Sequence, residues 1–527
     1  MFVSWAKDRE RKKESHVFYS QYVTEIHSIL HSHLSNQKPA QTGNEDADKC
    51  VPDSVFFGFK SIHHLLQQAH LALIKSISGF RGTIGGKSGD NLTPIDIVEC
   101  TAAYGQWLLS RGAAKKVVIG RDARQSGKIV SQLVAHTLQA MGISTIDLSL
   151  STTPTVEMAV VREMAGGGII LTASHNPGEW NALKLLNERG EFISAADGQA
   201  VINFIGSPDL TFAPVDQLGG YEKKKDAIAT HISEILSLNL VNTEAIQNKK
   251  FRIVVDCVNS TGSLAIPPLL EALGCTCELI NGTPDGHFAH NPEPLPQHLT
   301  QLSEEVKNRG ADLGIAVDPD VDRLALVCED GSMFGEEYTL VAVADYVLKH
   351  TPGATVSNLS SSRALRDVTE AHGQQHSASA VGEVNVVELM KSTGAVIGGE
   401  GNGGIIYPPL HYGRDALVGI ALFLSHLAAE DKPMTALRAS YPSYAIVKNK
   451  LPLEGLDLEQ VFERVRNHFA AYPQNTIDGL KIDLPEGWIH LRQSNTEPIV
   501  RIYTEARDAE RAQSLAEQVS QAARQDS

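Results

Sequence analysis

The feature that most constrains the fold is a repeated alternation between short β-branched runs and longer amphipathic stretches. Lys116–Gly120 reads as a strand, and Ser126–Met141 reads as the helix that follows it. Phe251–Asp256 and Gly262–Leu273 repeat the pattern, and residues 354–359 begin it once more. Because parallel strands need a crossover between them, such alternation is typical of α/β domains. The sequence therefore predicts several α/β units in succession.

The last part of the chain follows a different pattern. It reads as a helix, three strands and a closing helix, at Glu454–Tyr472, Gly479–Asp483, Trp488–Arg492, Ile499–Thr504 and Asp508–Arg524. Strands that follow one another through short turns are typical of antiparallel sheets. We therefore predict a small C-terminal α+β domain.

Shifts in composition indicate where the domains begin and end. Residues 1–70 are rich in His, Gln, Ser and Lys, and Ser35–Asp53 shows no hydrophobic period, so we predict a poorly ordered N-terminal extension. This extension is either dispensable, as a mis-assigned start codon would produce, or an arm that binds a partner. The predicted domains that follow are α/β domains at 71–235, 236–335 and 336–440 and the α+β domain at 441–527.

Charge and hydropathy exclude several classes of partner. The net charge is −16 and 42% of the residues are hydrophobic, which is ordinary for a globular enzyme and unsuited to general binding of nucleic acid or membrane surfaces. No apolar run approaches the roughly 18 residues of a membrane span. The six cysteines are scattered, so free thiols in a reducing compartment are expected. We predict a cytoplasmic monomer or homodimer that acts on a small molecule.

The first candidate site is a serine in a tight turn. Residues 171–177 read Leu-Thr-Ala-Ser-His-Asn-Pro after the predicted strand Gly168–Thr172. Asn and Pro favour a turn, so Ser174 would lie at the carboxyl end of a strand, where open α/β sheets bind their ligands. A lone serine is ordinarily a turn or cap residue and a poor nucleophile. The absence of Gly-x-Ser-x-Gly around it argues against a Ser-His-Asp hydrolase.

The second candidate site holds three carboxylates. Residues 318–323 read Asp-Pro-Asp-Val-Asp-Arg after the predicted strand Leu313–Val317. On an extended loop, alternation directs Asp318, Asp320 and Asp322 to one side. Hard oxygen ligands suit Mg²⁺, which also takes phosphate oxygens, and Arg323 can bind phosphate. A calcium EF-hand is excluded because Arg323 stands where that loop needs glycine and because strands flank the motif.

Two later motifs suit a sugar and a phosphate. Gly398–Gly404 reads Gly-Gly-Glu-Gly-Asn-Gly-Gly, in which Glu400 could accept hydrogen bonds from sugar hydroxyls; His411, Arg414 and Asp415 could support it. Residues 492–501 read Arg-Gln-Ser-Asn-Thr-Glu-Pro-Ile-Val-Arg. Their candidate phosphate ligands are Arg492, Ser494, Asn495, Thr496 and Arg501. Taken singly, the first motif could be a flexible turn and the second a polar surface loop.

Together and in this order, the four motifs resemble those of the α-D-phosphohexomutase superfamily over residues 74–506. The resemblance implies three related α/β domains with mixed sheets plus a C-terminal α+β domain. It implies one Mg²⁺ per chain, held by the three aspartates and by a phosphate on Ser174. It also implies catalytic roles for Ser174, His175, Lys184, Arg81 and Arg323, sugar binding by Glu400, Asn402 and Gly403, and phosphate binding by the residues of the 492–501 motif.

The sequence departs from the family pattern at several of these positions. Lys184 stands where the family has Asn-Gly-x-Lys, but Ala182 replaces the glycine. The family's sugar loop reads Gly-Glu-x-Ser-Gly-His, whereas this chain has Asn402 for the serine and Gly404 for the histidine. Glu383 stands where some members carry a catalytic histidine. The hexose, the residue that handles the proton and the role of Glu383 therefore stay open.

The resemblance implies an enzyme that interconverts hexose 6-phosphate and hexose 1-phosphate. The reaction would pass through a phosphoserine and a hexose 1,6-bisphosphate, which also serves as primer. The sequence is most similar to bacterial phosphoglucosamine mutases, which implies conversion of glucosamine 6-phosphate to glucosamine 1-phosphate. The alternative is a phosphomannomutase/phosphoglucomutase. A phosphatase and a sugar-phosphate-binding relative without activity are further alternatives, although the binding relative would be expected to lack Ser174 or an aspartate.

Overall fold

A computed structural model describes residues 73–76, 79–453, 456–494 and 499–524. The predicted N-terminal extension lies outside the described residues, as do Asn495 and Thr496 of the last motif. Four β-sheets follow one another along the described chain. The first three sheets alternate with helices and the fourth does not, which agrees with the predicted fold class.

The first sheet has seven strands in the order β1-β2-β6-β5-β3-β4-β7. The strands are β1 Ile74–Ser76, β2 Gly79–Thr83, β3 Lys116–Arg121, β4 Ser144–Leu150, β5 Gly167–Leu171, β6 Trp180–Leu186 and β7 Tyr221–Lys223. The helices are α1 Pro94–Ser110, α2 Gly127–Ala140, α3 Thr153–Arg162 and α4 Ala195–Phe204, with a 3-10 turn at Val215–Gln217. The inner strands β5, β3 and β4 are parallel, whereas β6 runs antiparallel to β5. Helix α3 begins where Thr152 accepts a hydrogen bond from the amide of Thr155.

The second sheet has four strands in the order β11-β10-β8-β9. The strands are β8 Arg252–Asp256, β9 Thr276–Ile280, β10 Leu313–Val317 and β11 Leu324–Cys328. The helices are α5 Ala227–Leu236, α6 Thr243–Lys249, α7 Gly262–Ala272 and α8 Thr300–Arg309, with a 3-10 turn at Pro296–His298. Strands β8, β9 and β10 are parallel, and β11 returns antiparallel to β10.

The third sheet repeats this plan in the order β13-β12-β14-β15. The strands are β12 Thr355–Asn358, β13 His376–Ser379, β14 Ile397–Glu400 and β15 Gly404–Ile406. The helices are α9 Glu336–His350, α10 Ala364–Ala371, α11 Glu383–Thr393, α12 Ala416–Glu430 and α13 Met434–Ala439. Helix α12 is buried over almost its whole length, and its apolar side chains join the second and third sheets in one hydrophobic core.

The fourth sheet is antiparallel and has the order β16-β20-β19-β18-β17. The strands are β16 Ala445–Pro452, β17 Gln474–Asn475, β18 Leu480–Leu484, β19 Gly487–Gln493 and β20 Ile499–Ala506. Helices α14 Leu458–His468 and α15 Ala509–Arg524 cover it and share its hydrophobic core. This is the predicted α+β domain.

The repeated plan of the first three sheets places three loops at equivalent positions. In each sheet a buried parallel strand is followed by an antiparallel return strand, in the pairs β5–β6, β10–β11 and β14–β15. The loops between the paired strands are residues 172–179, 318–323 and 401–403, which contain the serine, the aspartates and part of the glycine-rich motif. Of the helices in the described part of the chain, none is long and apolar enough to cross a bilayer.

Candidate active site

Ser174 lies in the loop between β5 and β6, and its side chain is almost completely buried. Its backbone has a φ of 49°, a left-handed conformation that costs energy for a residue other than glycine. The amide of Ser174 donates to Thr172 Oγ1 at 2.9 Å. Its own hydroxyl donates to Asp318 Oδ2 at 2.7 Å. The serine and aspartate motifs, which are far apart in sequence, are therefore in direct contact.

Arg124 holds the serine loop in this conformation. The guanidinium is buried and pairs with Asp122 Oδ2 at 2.9 Å. It donates to four backbone carbonyl oxygens of the loop, those of Ser174 (2.6 Å), Asn176 (2.6 Å), Pro177 (2.5 Å) and Trp180 (3.0 Å). Because several charge-assisted bonds act on one short loop, they can hold the strained backbone of the serine in place.

The aspartate loop is a turn, and the prediction of an extended loop is wrong. Val321 has a φ of 62°, and its amide donates to the carbonyl of Asp318 at 3.1 Å. The amides of Asp322 and Arg323 both donate to Asp318 Oδ1 at 3.2 Å. The three carboxylates converge because the chain turns around Asp318, and not because alternate residues of an extended chain share a side.

The donor set of this loop fits Mg²⁺. Asp318, Asp320 and Asp322 are all fully buried, and each offers an oxygen within 4.8 Å of the others. Asp320 Oδ1 and Asp322 Oδ1 have no hydrogen-bond partner within the part of the chain that the structure describes. Buried carboxylate oxygens ordinarily have partners, so two such oxygens beside a third carboxylate are what a hard cation would satisfy.

The pKa values of Asp318 and Asp322 shift in opposite directions. Burial raises the pKa of Asp318 well above its usual range, and the charges of Asp322 and Asp320 add to that effect. Burial would also raise the pKa of Asp322, but Arg414 and Lys184 outweigh burial and lower it. A divalent cation would favour the ionised form of all three carboxylates.

Lys184 forms ion pairs with two residues of the aspartate loop. Its Nζ lies 2.7 Å from Asp320 Oδ2 and 3.5 Å from Asp322 Oδ2. Burial would lower the pKa of Lys184, but these two carboxylates outweigh burial and raise it. Lys184 therefore keeps its proton and its positive charge in this arrangement.

His175 and Arg81 lie on the other side of the serine. His175 Nδ1 is 3.3 Å from Ser174 Oγ. Burial lowers the pKa of His175 to about 2, with further lowering from Arg323 and Arg81. Arg81 Nη1 donates to Asn176 Oδ1 at 2.9 Å. The imidazole is therefore neutral near neutral pH and can take part in hydrogen bonds without a charge.

Arg323 follows the aspartates and is largely buried. Its Nη1 lies 3.6 Å from Glu293 Oε1, and its Nε has no hydrogen-bond partner among the described residues. Its charge acts on both Asp318 and His175. A partly unsatisfied guanidinium at this position suits an anion beside the serine.

Glu400 lies at the end of β14, and its buried carboxylate is held from several sides. It accepts from Asn358 Nδ2 at 2.9 Å and from Arg414 Nη1 at 2.7 Å. Asn402 Nδ2 lies 3.4 Å from the same carboxylate. Gly403 has a φ of 83°, and a Cβ there would collide with the carbonyl oxygen of Leu324. The glycine therefore lets the glycine-rich motif pack on the strand that follows the aspartates.

Arg414 links the aspartate loop to the glycine-rich loop. Its guanidinium bonds Asp322 Oδ2 and Glu400 Oε2, both at 2.7 Å, and lies 3.0 Å from Glu383 Oε2. A Cβ at Gly404 would come within 2.4 Å of Arg414 Cδ. Gly404 and Glu383, the two departures from the family's histidines, therefore both serve the placement of Arg414. The motifs predicted that Arg414 could support the sugar loop but gave no sign of its bond to Asp322.

The C-terminal motif forms part of a row of cations. Arg492 on β19 faces Arg501 on β20, and Arg501 faces Lys450 on β16. Like charges directly opposite one another destabilise a sheet, so such a row favours an anion as ligand. Asp478 pairs with Arg492 at 2.8 Å. Ser494 is buried next to this row, and sequence reasoning missed Lys450 because it lies outside the motif.

Comparison with known proteins identifies the family. Models of the phosphoglucomutase/phosphomannomutase alpha/beta/alpha domains I, II and III match residues 74–210, 229–331 and 335–444. The model of the family's C-terminal domain matches residues 447–522. The chain belongs to this family, within the α-D-phosphohexomutase superfamily, and it is a phosphohexomutase. The predicted resemblance and fold class are confirmed.

Relatives with two different names are similar to this chain. The phosphoglucomutase/phosphomannomutase of Thermococcus kodakarensis is 35% identical over 443 residues, which are 83% of this chain and 96% of the relative. A probable phosphoglucosamine mutase of Methanopyrus kandleri is 33% identical over 442 residues, 83% of this chain and 95% of the relative. A crystal structure of a phosphoglucomutase/phosphomannomutase family protein from Burkholderia thailandensis superposes with a TM-score of 0.74 at 25% identity and covers 86% of this chain and 97% of that one.

Proposed function

We propose that Ser174 carries the transferred phosphoryl group and that the substrate is glucosamine 6-phosphate. The observation that supports the first part is the 2.7 Å bond from Ser174 Oγ to Asp318, beside two buried carboxylate oxygens without partners. A phosphate on that oxygen would lie between the aspartate loop and the cations Arg323 and Lys184. Phosphoryl transfer depends on this kind of positioning and charge neutralisation.

Asp318, Asp320 and Asp322 would hold one Mg²⁺, and the phosphate on Ser174 would complete the site. When bound, the ion neutralises charge that develops on the transferring group. Arg323, whose Nε has no hydrogen-bond partner among the described residues, would bind the same phosphate. Lys184 forms ion pairs with Asp320 and Asp322, and Arg414 fixes the direction of Asp322.

In the transfer step the free hydroxyl oxygen of the sugar attacks phosphorus, and the bond from phosphorus to Ser174 Oγ breaks. The sugar hydroxyl loses its proton in this step and Ser174 Oγ gains one, so the step balances. His175 Nδ1, 3.3 Å from Ser174 Oγ, is placed to hydrogen-bond the leaving serine oxygen. Lys184 keeps its positive charge beside the aspartates and would stabilise negative charge that develops there. Arg81 positions Asn176 within the same loop.

The product of this step is a hexose 1,6-bisphosphate, which must turn around before its other phosphate returns to Ser174. Arg492, Ser494, Asn495, Thr496 and Arg501 hold the phosphate that is not reacting, and Lys450 adds a third cation to that row. Glu400, Asn402 and Gly403 hold the sugar hydroxyls. Closure of the C-terminal domain over the substrate would exclude water that otherwise hydrolyses the phosphoserine.

Replacing Arg501 with alanine tests the cation row. We expect KM for the hexose phosphate to rise about 10- to 100-fold, because a charge-assisted bond to phosphate is lost. Steady-state kinetics with the purified variant measure this change. Arg507→Ala is the matched control, since Arg507 is exposed and stacks on Tyr444 away from the row. An unchanged KM in Arg501→Ala would contradict the proposed phosphate site.

The substrate is tested by turnover with glucosamine, glucose and mannose 6-phosphates, each with Mg²⁺ and the matching bisphosphate primer. Glucosamine 6-phosphate is favoured by the relative named as a probable phosphoglucosamine mutase. The competing assignment rests on the relative named phosphoglucomutase/phosphomannomutase, at similar identity. We expect kcat/KM to be highest by at least about tenfold for glucosamine 6-phosphate, the ratio that about 1.4 kcal/mol produces. A higher value for glucose or mannose phosphate would overturn the substrate and leave the reaction type intact.

A further inference from the structure

A second cluster of metal-ligating side chains lies behind the active site. It consists of His231 on α5, His411 in the loop after β15, and Asp415, which caps α12. His231 and Asp415 are fully buried, and the side chain of His411 is 13% exposed. None of these three residues contacts the aspartate loop directly, so the mechanism above does not use them.

The spacing of the cluster fits tetrahedral coordination. The Nε2 atoms of His231 and His411 lie 2.9 Å and 3.4 Å from the same oxygen, Asp415 Oδ2. Tetrahedral ligands at the usual zinc distances of about 2.0–2.1 Å are about 3.3 Å apart. The other oxygen, Asp415 Oδ1, is committed to the amides of Leu417 and Val418 at the start of α12. One oxygen and two imidazole nitrogens are therefore already gathered within 4.8 Å of one another.

The far side of each imidazole has the partner that a metal-bound histidine requires. His231 Nδ1 is 2.9 Å from Thr155 Oγ1, and His411 Nδ1 is 3.4 Å from Glu157 Oε2. Metal-bound histidines use one ring nitrogen for the ion and donate the other N–H to an oxygen, often a carboxylate. Here both Nδ1 atoms face oxygens, and both Nε2 atoms face the shared Asp415 oxygen.

Glu157 is a second, independent sign of a ligand. Its carboxylate is almost completely buried, and neither of its oxygens meets the geometry of a hydrogen bond within the described residues. Two buried carboxylates, Glu157 and Asp415, thus surround two imidazoles. A dication bound to His411 would polarise its Nδ1–H toward Glu157 and would balance both negative charges.

We infer that His231, His411 and Asp415 form a second metal site, separate from the aspartate loop, which binds Zn²⁺ or a similar divalent transition metal. Two imidazoles among three ligands favour such a metal over Mg²⁺, which prefers oxygen. A cavity of about 260 Å³, lined in part by Glu157, His411 and Tyr412, reaches one of the three ligands. A water molecule would be the fourth ligand.

The site would have a structural effect on the active site. Glu157 and Thr155 belong to α3, His231 to α5, and Asp415 immediately follows Arg414. An ion bound here would tie α3, α5 and the start of α12 together. It would thereby fix the residue next to Arg414, whose guanidinium orients Asp322 and Glu400.

Metal analysis of the full-length protein tests this inference. The protein is purified without a polyhistidine tag or chelator, and its metals are measured by mass spectrometry. We expect about one zinc per chain, as for a site with three protein ligands. After the metal is stripped with dipicolinate, added Zn²⁺ should raise the thermal midpoint, and added Co²⁺ should give the visible absorption of a four-coordinate site.

Variants separate this site from the aspartate loop. His411→Gln should lose the zinc, and Glu157→Gln should weaken Zn²⁺ binding by about 10- to 100-fold, the usual effect of removing the outer partner of a ligand. His426→Gln is the matched control, because His426 is a buried histidine outside the cluster. Asp320→Asn should keep its zinc.

Wild-type protein that neither contains zinc nor gains stability from added Zn²⁺ would overturn the inference, whatever the variants do. The cluster would then be a hydrogen-bonded network around Asp415. Loss of zinc in Asp320→Asn together with its retention in His411→Gln would also overturn it, because the ion would then belong to the aspartate loop.

Discussion

Replacing Ser174 with alanine is expected to lower kcat/KM of the mutase reaction by at least about 10⁴-fold. The hydroxyl is the proposed carrier of the phosphoryl group, and methyl cannot replace it. The variant should fold normally, because it removes one hydroxyl while Arg124 still holds the backbone of the serine loop. Formation of hexose 1-phosphate measures the activity. Intact-protein mass should show one phosphate group on the wild type and none on the variant.

Ser149→Ala is the matched control for Ser174→Ala. Ser149 also has a left-handed backbone, with a φ of 60°, but it lies near the end of β4 rather than in the serine loop. Ser149→Ala therefore changes a serine of similar backbone conformation outside the proposed site, and the mutase activity of this variant should be unchanged. If Ser174→Ala kept activity within about tenfold of the wild type, the phosphoserine would be excluded as an intermediate.

Most of the fold could be predicted because its strands and helices have strong local patterns. β10 has the predicted bounds, and β3 and β5 differ from prediction by one residue at their ends. The helix predicted at Glu454–Tyr472 is shorter and spans Leu458–His468, and its predicted start is wrong. Asp457 explains this, since its side chain accepts from the amide of Gln460 and caps the helix there. The first residue of a helix is set by its capping side chain as well as by hydrophobic periodicity, and periodicity alone does not show which residue is the cap.

The motifs of the site could also be predicted, because each lies within ten residues. Ser174 and the three aspartates come together through the shared plan of the first two sheets, as strand ends at one edge of an α/β fold lead one to expect. The bounds of the predicted domains and the roles of the site residues remain predictions. The contacts of Arg414 with Asp322 and of Arg124 with the serine loop could not be predicted. They join residues that are distant in sequence, and only the packed fold brings them together.

The loops at residues 172–179, 318–323 and 401–403 lie at equivalent positions because the first three sheets repeat one plan. Each contains or adjoins a group that does little alone: the hydroxyl of Ser174, the three aspartates and the carboxylate of Glu400. Arg414 joins the second loop to the third, and the hydrogen bond from Ser174 to Asp318 joins the first to the second. A substitution in one loop should therefore affect the other loops. Double-mutant cycles between Arg414 and Asp322 would measure that coupling.

Replacing Asp318 with asparagine is expected to separate stability from catalysis. The kcat should fall by about 10³-fold, because one ligand of the proposed Mg²⁺ site loses its charge and several kcal/mol of transition-state stabilisation depend on the ion. In EDTA, however, the thermal midpoint should equal or exceed that of the wild type. Asp318 is buried beside two other carboxylates, and its raised folded-state pKa means that its ionised form is destabilising above the unfolded pKa of about 3.9.

Differential scanning calorimetry with and without Mg²⁺ measures the stability effect of Asp318→Asn, and steady-state kinetics measure its catalytic effect. Mg²⁺ should raise the thermal midpoint of the wild type more than that of the variant, because binding of the ion stabilises the folded state. Asp209→Asn, which removes an exposed carboxylate, should change neither quantity. A lower thermal midpoint of the variant in EDTA would show that the ionised carboxylate is stabilising. That result would contradict the argument that burial beside two other carboxylates makes it destabilising. A variant with full Mg²⁺-dependent activity would show that the ion is held elsewhere. The stability prediction and the activity prediction can be contradicted separately. The thermal midpoint in EDTA depends on the charge of the metal-free cluster, whereas the activity depends on the ion that the cluster binds.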